Sequence, residues 1–174
     1  MTDIYFARAA GESHKEMSSF AYNLLIDKLS QRLSLPQSDI VINKDERGKP
    51  FVEGREDVFV SISHSKGAVM VGISDKPIGV DIEMLKTRRK TVEKRVFTDR
   101  EISLIDSSTD ENKAFFVLWT LKESYLKAIG TGFADNAESI CFYSLDEPIL
   151  SDSEDYYFSI GELENFIFAV CEKK

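Results

Sequence analysis

The sequence predicts an α+β protein. Two long stretches, near residues 14–35 and 111–129, carry apolar residues at helical spacing. Several short stretches with the apolar alternation of strands accompany each of them. Most of these strands follow one another after a short turn, as in hairpins. One principal helix with a group of hairpin-connected strands, occurring twice, is typical of the α+β class.

The first half of the chain opens with a strand at residues 4–7. Ser13 and Glu16 then form a capping-box pattern, which predicts the start of a long helix. That helix ends near Pro36, because the residue before a proline is disfavoured in the helical conformation. Its apolar residues are Met17, Phe20, Ala21, Leu24, Leu25, Leu29 and Leu33. Strands are predicted over residues 40–42, 58–62, 68–73 and 78–83, with a turn over 45–50.

The second half begins with a short helix and a long helix. Thr98 and Glu101 form another capping box, which opens a helix through Ile105. The long helix over residues 111–129 is closed by Gly130 and Gly132. Strands are predicted over residues 140–145, 156–160 and 166–171, with a hairpin turn around 161–165.

The composition indicates a globular protein and excludes some partners. The chain has 174 residues, of which 43% are hydrophobic and 30% charged, so it can bury a core as one domain or two small halves. Its net charge of −8 argues against nucleic acid, because binding to a phosphate backbone needs excess Lys and Arg. No apolar run approaches the ~18 residues of a membrane helix, and residues 1–16 do not resemble a secretory signal. We therefore expect a cytoplasmic protein with no membrane partner.

Two cysteines, Cys141 and Cys171, lie in apolar stretches near the end of the chain. A disulfide between them is possible, but the pattern favours buried free thiols.

Three acidic residues indicate chemistry on a phosphate. In the segment 79–83 (GVDIE), Asp81 and Glu83 are two residues apart on a strand, about 6.6 Å along it, so both carboxylates leave the same face. Glu123 lies on the long helix, four residues before Lys127. If these carboxylates gather, they repel one another unless a cation lies among them, and oxygen ligands suit Mg²⁺. The alternatives are a strand with one wet face and a surface helix pair worth about 0.2–0.5 kcal/mol.

Four motifs carry a family resemblance. They are the segment 79–83, the segment 119–132 (WTLKESYLKAIGTG), the segment 48–50 (GKP) and the segment 61–65 (SISHS). Taken in their order along the chain, from residues 48–50 to residues 119–132, they resemble the 4′-phosphopantetheinyl transferases. More narrowly, they resemble the larger single-chain class that activates peptide and polyketide synthetases.

The resemblance implies a fold of two similar α+β halves, residues 1–78 and 79–174, packed as a pseudodimer with the active site between them. The small trimeric holo-acyl-carrier synthases have a similar helix motif, but their chains are about half-size in the family's pattern. This chain is long enough to supply both halves, so we expect a monomer.

The implied activity is Mg²⁺-dependent transfer of 4′-phosphopantetheine from coenzyme A to a serine of an apo acyl or peptidyl carrier protein, releasing adenosine 3′,5′-bisphosphate. Mn²⁺ is a possible substitute for Mg²⁺. By resemblance, Asp81, Glu83 and Glu123 hold the metal. Glu123, directly or through a metal-bound water, would deprotonate the serine. Lys127 would contact the phosphate and stabilise or protonate the leaving phosphate. Rival interpretations are a generic Mg²⁺-dependent phosphohydrolase and a non-enzymatic module that binds coenzyme A or a carrier.

The resemblance also implies a binding site for coenzyme A. Ser63 and His64 would hold its 3′-phosphate, although a lone histidine near a strand end is more often structural. The turn residues Gly48, Lys49 and Pro50 would contact the nucleotide end, and Lys15 aligns loosely with a basic residue that helps bind the same phosphate. The segment ahead of the first helix is shorter than usual in this class, which predicts weaker binding of coenzyme A.

Three other residues of interest receive structural interpretations. Lys122 is expected to be structural or solvated, Trp119 to be a core anchor, and the capping box explains Glu101.

The run at residues 86–90, with Lys94 and Arg95, is the one dense positive cluster in an acidic chain. It is either a solvated loop or, through Arg88 and Arg89, a docking surface for an acidic carrier.

Overall fold

The computed structural model describes residues 1–10, 13–88, 90–132 and 137–174. In chain order the helices and strands are β1 (Asp3–Arg8), α1 (His14–Leu33), β2 (Ile42–Lys44), β3 (Pro50–Val52), β4 (Phe59–Ser65), β5 (Ala68–Ser74), β6 (Ile78–Met84), α2 (Lys90–Val96), α3 (Asp99–Asp106), α4 (Glu111–Ile129), β7 (Tyr156–Leu163) and β8 (Phe166–Lys173). Helices packed on antiparallel sheets confirm the α+β class.

The strands form two antiparallel sheets. The first has the order β1-β5-β4-β3-β2, and the second has the order β6-β8-β7. Leu25 and Leu29 of α1 pack into a core with the first sheet. Leu118 and Leu121 of α4 pack into a second core with β8. Each sheet therefore has its own principal helix, which agrees with the expected arrangement of two α+β halves.

The two sheets meet where the edge of β6 lies on the face of the first sheet. Backbone N–H groups of β6 donate hydrogen bonds to side-chain hydroxyls of β4. In each pair the β6 residue lies nineteen positions after the β4 residue in the sequence. A constant offset means that the two strands run in the same direction. Val80 and Ile82 share one buried cluster with Ala68 and Met70 of β5, so the contact between the sheets is part of the core.

The predicted helix ends are confirmed. Ser13 with Glu16 and Thr98 with Glu101 both form complete capping boxes. The long helix α4 has the predicted bounds, and Gly130 adopts a φ of 73°, a left-handed conformation that suits glycine at a helix end.

Some sequence predictions were wrong or incomplete. Residues 140–145 do not form the predicted strand and make only the isolated bridge between Phe142 and Ser151. The reason is tertiary, because the Phe142 N–H donates to the Glu101 carboxylate at 3.1 Å instead of to a neighbouring strand. Helix α2 was not predicted. Strand β3 was not predicted either, and it begins at Pro50, the last residue of the predicted turn.

Both cysteines are free thiols, as the favoured interpretation predicted, but only Cys171 is buried, and Cys141 is partly exposed. None of the described helices is long and apolar enough to cross a membrane.

Candidate active site

Gly79 brings α4 against β6. A Cβ atom on Gly79 would lie 1.8 Å from the carbonyl oxygen of Ser124 and 2.5 Å from the nitrogen of Ala128. The absence of a side chain therefore allows helix and strand backbones to touch. This contact places the helix residues Glu123 and Lys127 beside the carboxylate-bearing part of β6.

Lys127 and Asp81 form the centre of the site. The Lys127 ammonium lies 2.7 Å from Asp81 Oδ1 and donates to the Val80 carbonyl at 3.1 Å. The Ser63 hydroxyl also donates to Asp81 Oδ1, at 2.7 Å. Asp81 Oδ2 is buried and has no hydrogen-bond partner among the described residues. A buried carboxylate oxygen without a donor is costly, so this atom fits a cation or a donor from a ligand.

The three predicted metal ligands influence one another electrostatically. Burial, with the charges of Asp81 and Glu83, raises the pKa of Glu123 to about 7, while Lys127 acts in the opposite direction. Burial and then the charge of Asp81 also raise the pKa of Glu83. Such mutual repulsion is what a bound cation would relieve.

The donor chemistry fits a hard cation, but the side chains do not form a finished metal site. Within the described residues, no group of three or more His, Cys, Asp or Glu side chains is arranged to hold a metal ion. Mg²⁺ ordinarily takes one or two carboxylates together with waters and substrate phosphates, and so needs no complete protein cage. The metal ligands Asp81, Glu83 and Glu123 therefore remain a prediction.

A cleft of about 340 Å³ opens over Asp81, Glu123 and Lys127, and both halves of the chain line it. The first half contributes His14, Ser18, Tyr22, Lys44, Gly48, Pro50, Ile62, Ser63 and His64. A smaller adjoining cavity of about 170 Å³ includes Arg47 and Lys49. Lys, Arg and His side chains thus surround the carboxylates, which suits a ligand with several phosphates.

His64 lies in this cleft, as predicted, and it has a neighbour that the sequence analysis missed. Its ring centroid is 4.6 Å from that of His14, in an edge-to-face arrangement. Burial, then the proximity of His14 and Lys127, lowers the pKa of His64. The available signal was the spacing of His14, Ser18 and Tyr22, four residues apart on one face of α1.

Lys15, which was predicted to help bind the phosphate, is an exposed residue of α1. The described α1 residues that line the cleft are instead His14, Ser18 and Tyr22. A contact between Lys15 and a phosphate stays a prediction.

Two other predicted ligand-binding residues already have protein partners. The Lys49 ammonium donates to the Ala128 carbonyl at 2.5 Å, in the last turn of α4, and burial lowers its pKa. The Ser63 hydroxyl proton is donated to Asp81. A phosphate contact by the Ser63 hydroxyl would require it to exchange that partner, whereas the Lys49 ammonium has two further N–H donors besides the one on Ala128. Both contacts stay predictions.

The prediction that Arg88 presents its charge to a carrier is wrong. Its side chain is only 7% exposed, and its guanidinium lies 3.5 Å from Glu93, 3.5 Å from Asp106 and 2.5 Å from Glu111. Arg88 therefore joins the end of β6 to three helices. Its neighbour Arg89 lies outside the described residues.

Lys86 is an exposed basic residue of this run that lies near the site. Its side chain is 53% exposed and its ammonium lies 3.7 Å from Glu83. Both residues line a second cavity of about 160 Å³, whose other walls are Thr87, Val92, Phe115, Phe116 and Trp119. Glu83 thus borders a mainly apolar cavity, whereas Asp81 and Glu123 border the polar cleft.

Of the two alternatives for Lys122, structural or solvated, the first is correct. It is fully buried and lies 3.0 Å from the equally buried Glu101. Its ammonium also donates to the carbonyls of Ala137 and Ile140, at 2.6 and 2.8 Å.

Comparison with known proteins agrees with the motifs. The model of the 4′-phosphopantetheinyl transferase superfamily matches residues 77–171, more than half of the chain, and the chain belongs to that superfamily. The match covers Asp81, Glu83, Glu123 and Lys127.

Several curated proteins are similar over part of their length. The 4′-phosphopantetheinyl transferase gsp of Aneurinibacillus migulanus is 41% identical over 63% of this chain and 46% of that protein. The 4′-phosphopantetheinyl transferase Sfp of Bacillus subtilis is 36% identical over 61% and 48%. HetI of Nostoc, also named a 4′-phosphopantetheinyl transferase, is 31% identical over 70% and 54%. The chain spans about half the length of the curated relatives it matches.

Proposed function

We propose that the protein transfers 4′-phosphopantetheine from coenzyme A to a serine hydroxyl of an apo acyl or peptidyl carrier protein. The observation that carries the proposal is the convergence of Asp81, Glu123 and Lys127 at the floor of a cleft lined by basic groups, where one oxygen of Asp81 has no donor among the described residues. The superfamily match and the names of the relatives support the same reaction.

Asp81, Glu83 and Glu123 are proposed to hold Mg²⁺, or Mn²⁺ in its place. When bound, the ion would neutralise charge on the pyrophosphate of coenzyme A during transfer. The unpartnered Oδ2 atom of Asp81 supports this role, and so does the rise in the pKa values of Glu83 and Glu123.

The remaining chemistry belongs to two residues of α4. The serine oxygen forms a bond to the phosphorus of the pantetheine phosphate, and the bond from that phosphorus to the pyrophosphate bridging oxygen breaks. Glu123, directly or through a water, takes the proton from the serine hydroxyl. Lys127 contacts the phosphates and stabilises the charge of the departing adenosine 3′,5′-bisphosphate. No covalent bond to the protein is needed, because positioning and electrostatics supply the acceleration.

Coenzyme A is proposed to enter through the polar cleft. His64 and Ser63 would face its 3′-phosphate, with His14 beside His64 and Lys15 nearby on α1. The turn containing Gly48, Lys49 and Pro50 would contact the nucleotide end, and it lines the same cleft.

The carrier is proposed to approach from the other side of the carboxylates, where Glu83 and Lys86 border the second cavity. Lys86 would attract an acidic carrier, which the net charge of −8 otherwise repels. We further propose that the protein acts as a monomer in the cytoplasm, with neither nucleic acid nor membrane as a partner.

The deciding experiment incubates the protein with coenzyme A, Mg²⁺ and a panel of apo carriers, followed by mass spectrometry of each carrier. The expected result is a gain of one phosphopantetheine group on the carrier serine, abolished by EDTA and restored by Mg²⁺ or Mn²⁺. Hydrolysis of coenzyme A with an unmodified carrier would indicate a phosphohydrolase instead. Binding without any reaction would indicate a non-enzymatic module.

A further inference from the structure

Three serines of β4 have a role that the proposed reaction does not explain. Ser61, Ser63 and Ser65 alternate along the strand and face β6; we call them the serine ladder. Each hydroxyl oxygen accepts a backbone N–H of β6, from Val80, Ile82 and Met84 respectively, at distances of 3.0, 3.2 and 3.0 Å. The ladder therefore satisfies one edge of β6 in place of a neighbouring strand.

Two members of the ladder make a second bond. The Ser63 hydroxyl donates to Asp81 at 2.7 Å, and the Ser65 hydroxyl donates to Glu83 Oε2 at 3.1 Å. Each of these serines bridges an acidic residue and the backbone N–H that follows it. Ser61 accepts the Val80 N–H in the same way, but the residue before Val80 is Gly79, which has no carboxylate.

This arrangement fixes the carboxylates and not only the strand. A hydroxyl has a single proton, and accepting the backbone N–H leaves that proton free to point at the acid. For Asp81, Ser63 and Lys127 both bind Oδ1, and Oδ2 has no partner within the part of the chain that the structure describes. The hydrogen bonds thus decide which oxygen of the buried carboxylate remains available.

We infer that Ser63 and Ser65 are positioning residues, which orient Asp81 and Glu83 toward the cation. This inference rests on the proposed function, because it concerns the metal site of that reaction. Hydrogen bonds to ligating carboxylates preorganise metal sites, and the loss of such an outer partner typically costs about 10–100-fold in affinity or activity.

The test measures the affinity of the protein for Mn²⁺ by electron paramagnetic resonance, with and without coenzyme A. We expect Ser63→Ala and Ser65→Ala each to raise the Kd for Mn²⁺ about 10-fold. Ser61→Ala is the matched control, since it removes the same backbone partner from β6 but no carboxylate partner. Its Kd should stay near that of the unmodified protein, although its loss of thermal stability should resemble that of Ser63→Ala.

A rescue variant separates the hydroxyl from the shape of the side chain. Ser65→Thr keeps the hydroxyl in a strand-compatible residue and should restore the affinity for Mn²⁺. Ser65 lies at the partly exposed end of the ladder, so its variants carry the test if Ser63→Ala fails to fold.

Two failures are distinguishable. If the unmodified protein binds Mn²⁺ and the three alanine variants bind it equally well, the positioning role is overturned and the proposed metal site stands. If the unmodified protein binds no Mn²⁺ in either condition, the metal site of the proposed function fails, and this inference fails with it.

Discussion

Helix α4 carries two lysine–carboxylate pairs that differ in how completely they are satisfied. Lys122 and Glu101 are both fully buried and 3.0 Å apart. Lys127 and Asp81 are closer, at 2.7 Å, but Lys127 is 30% exposed at the cleft. The two lysines are only five residues apart, yet one belongs to the core and the other to the candidate active site.

The buried pair has partners for all of its groups. The Lys122 ammonium uses its three donors on Glu101 and on two backbone carbonyls. Glu101 accepts from Thr98 and from the Phe142 N–H as well. The pair at the cleft is not fully hydrogen-bonded, because Asp81 Oδ2 has no partner among the described residues.

In these two pairs, the satisfaction of the buried polar atoms separates a structural role from a functional one. A charge cluster whose atoms are all satisfied holds elements together, and here it fixes α3 and residues 137–142 to α4. A cluster with an unsatisfied buried oxygen and raised carboxyl pKa values is incomplete without a ligand.

The largest expected effect comes from breaking the satisfied pair. Lys122→Met leaves Glu101 buried without its cation, so the free energy of unfolding should fall by about 3–5 kcal/mol. Urea denaturation measures this loss. Adding Glu101→Leu should recover part of the stability, because an apolar pair replaces the stranded charge. A single variant as stable as the unmodified protein would contradict the structural role.

Compared with Lys122→Met, Asp81→Ala should lower the free energy of unfolding far less and the transfer activity far more. It removes a proposed metal ligand, so transfer to a carrier should fall by at least about 100-fold, the upper end of what losing an outer partner costs. Added Mg²⁺ at ordinary concentrations should not rescue it. The urea midpoint should stay closer to that of the unmodified protein than for Lys122→Met, because one member of a repelling carboxylate cluster is gone. Near-normal transfer would contradict the metal site.

His64→Ala tests the other wall of the cleft. If His64 binds the 3′-phosphate, the KM for coenzyme A should rise about 10-fold, the equivalent of one hydrogen bond to a charged group, with a smaller change in kcat. Steady-state kinetics with 3′-dephospho-coenzyme A is the control, since that substrate lacks the phosphate and should show almost no difference between the two proteins. Equal losses with both substrates would make His64 a structural residue.

The smallest effect is expected at Lys86, the exposed lysine that borders the second cavity. Lys86→Glu should lower the association rate of an acidic carrier by about two- to fivefold at low salt and weaken its salt dependence. Lys76→Glu, beyond the opposite end of β6, is the matched control and should leave the rate nearly unchanged. Identical association rates for the two variants would remove Lys86 from carrier docking. Arg88 is unsuitable for this test, because its reversal would disrupt a buried network.

Local patterns in the sequence predicted much of the fold. The capping boxes and the glycine at a helix end located the ends of α1, α3 and α4, because those signals are contained within a few residues. Helix α2 was missed because its short, mostly charged sequence has too little apolar periodicity. The false strand at residues 140–145 has apolar residues, but the partner of Phe142 is a carboxylate forty-one positions earlier.

The candidate site was predictable in its motifs but not in its connections. The spacing of Asp81 and Glu83 indicated a shared face, and the resemblance brought in Glu123 and Lys127. The burial of Arg88 depends on acids from three different helices, which no local pattern shows. The serine ladder likewise depends on a contact between two sheets, so an alternating run of serines alone could not reveal it.

Gly79 has one more consequence, which concerns how this protein tolerates variation. The spacing between β6 and α4 is set by main-chain atoms in contact, not by side chains that could be exchanged for others of similar volume. Substitutions elsewhere in the core can be absorbed by repacking, whereas any side chain at position 79 must push the helix outward. The distance from β6 to α4 across the candidate active site therefore depends on position 79, where a side chain would clash with main-chain atoms of the helix.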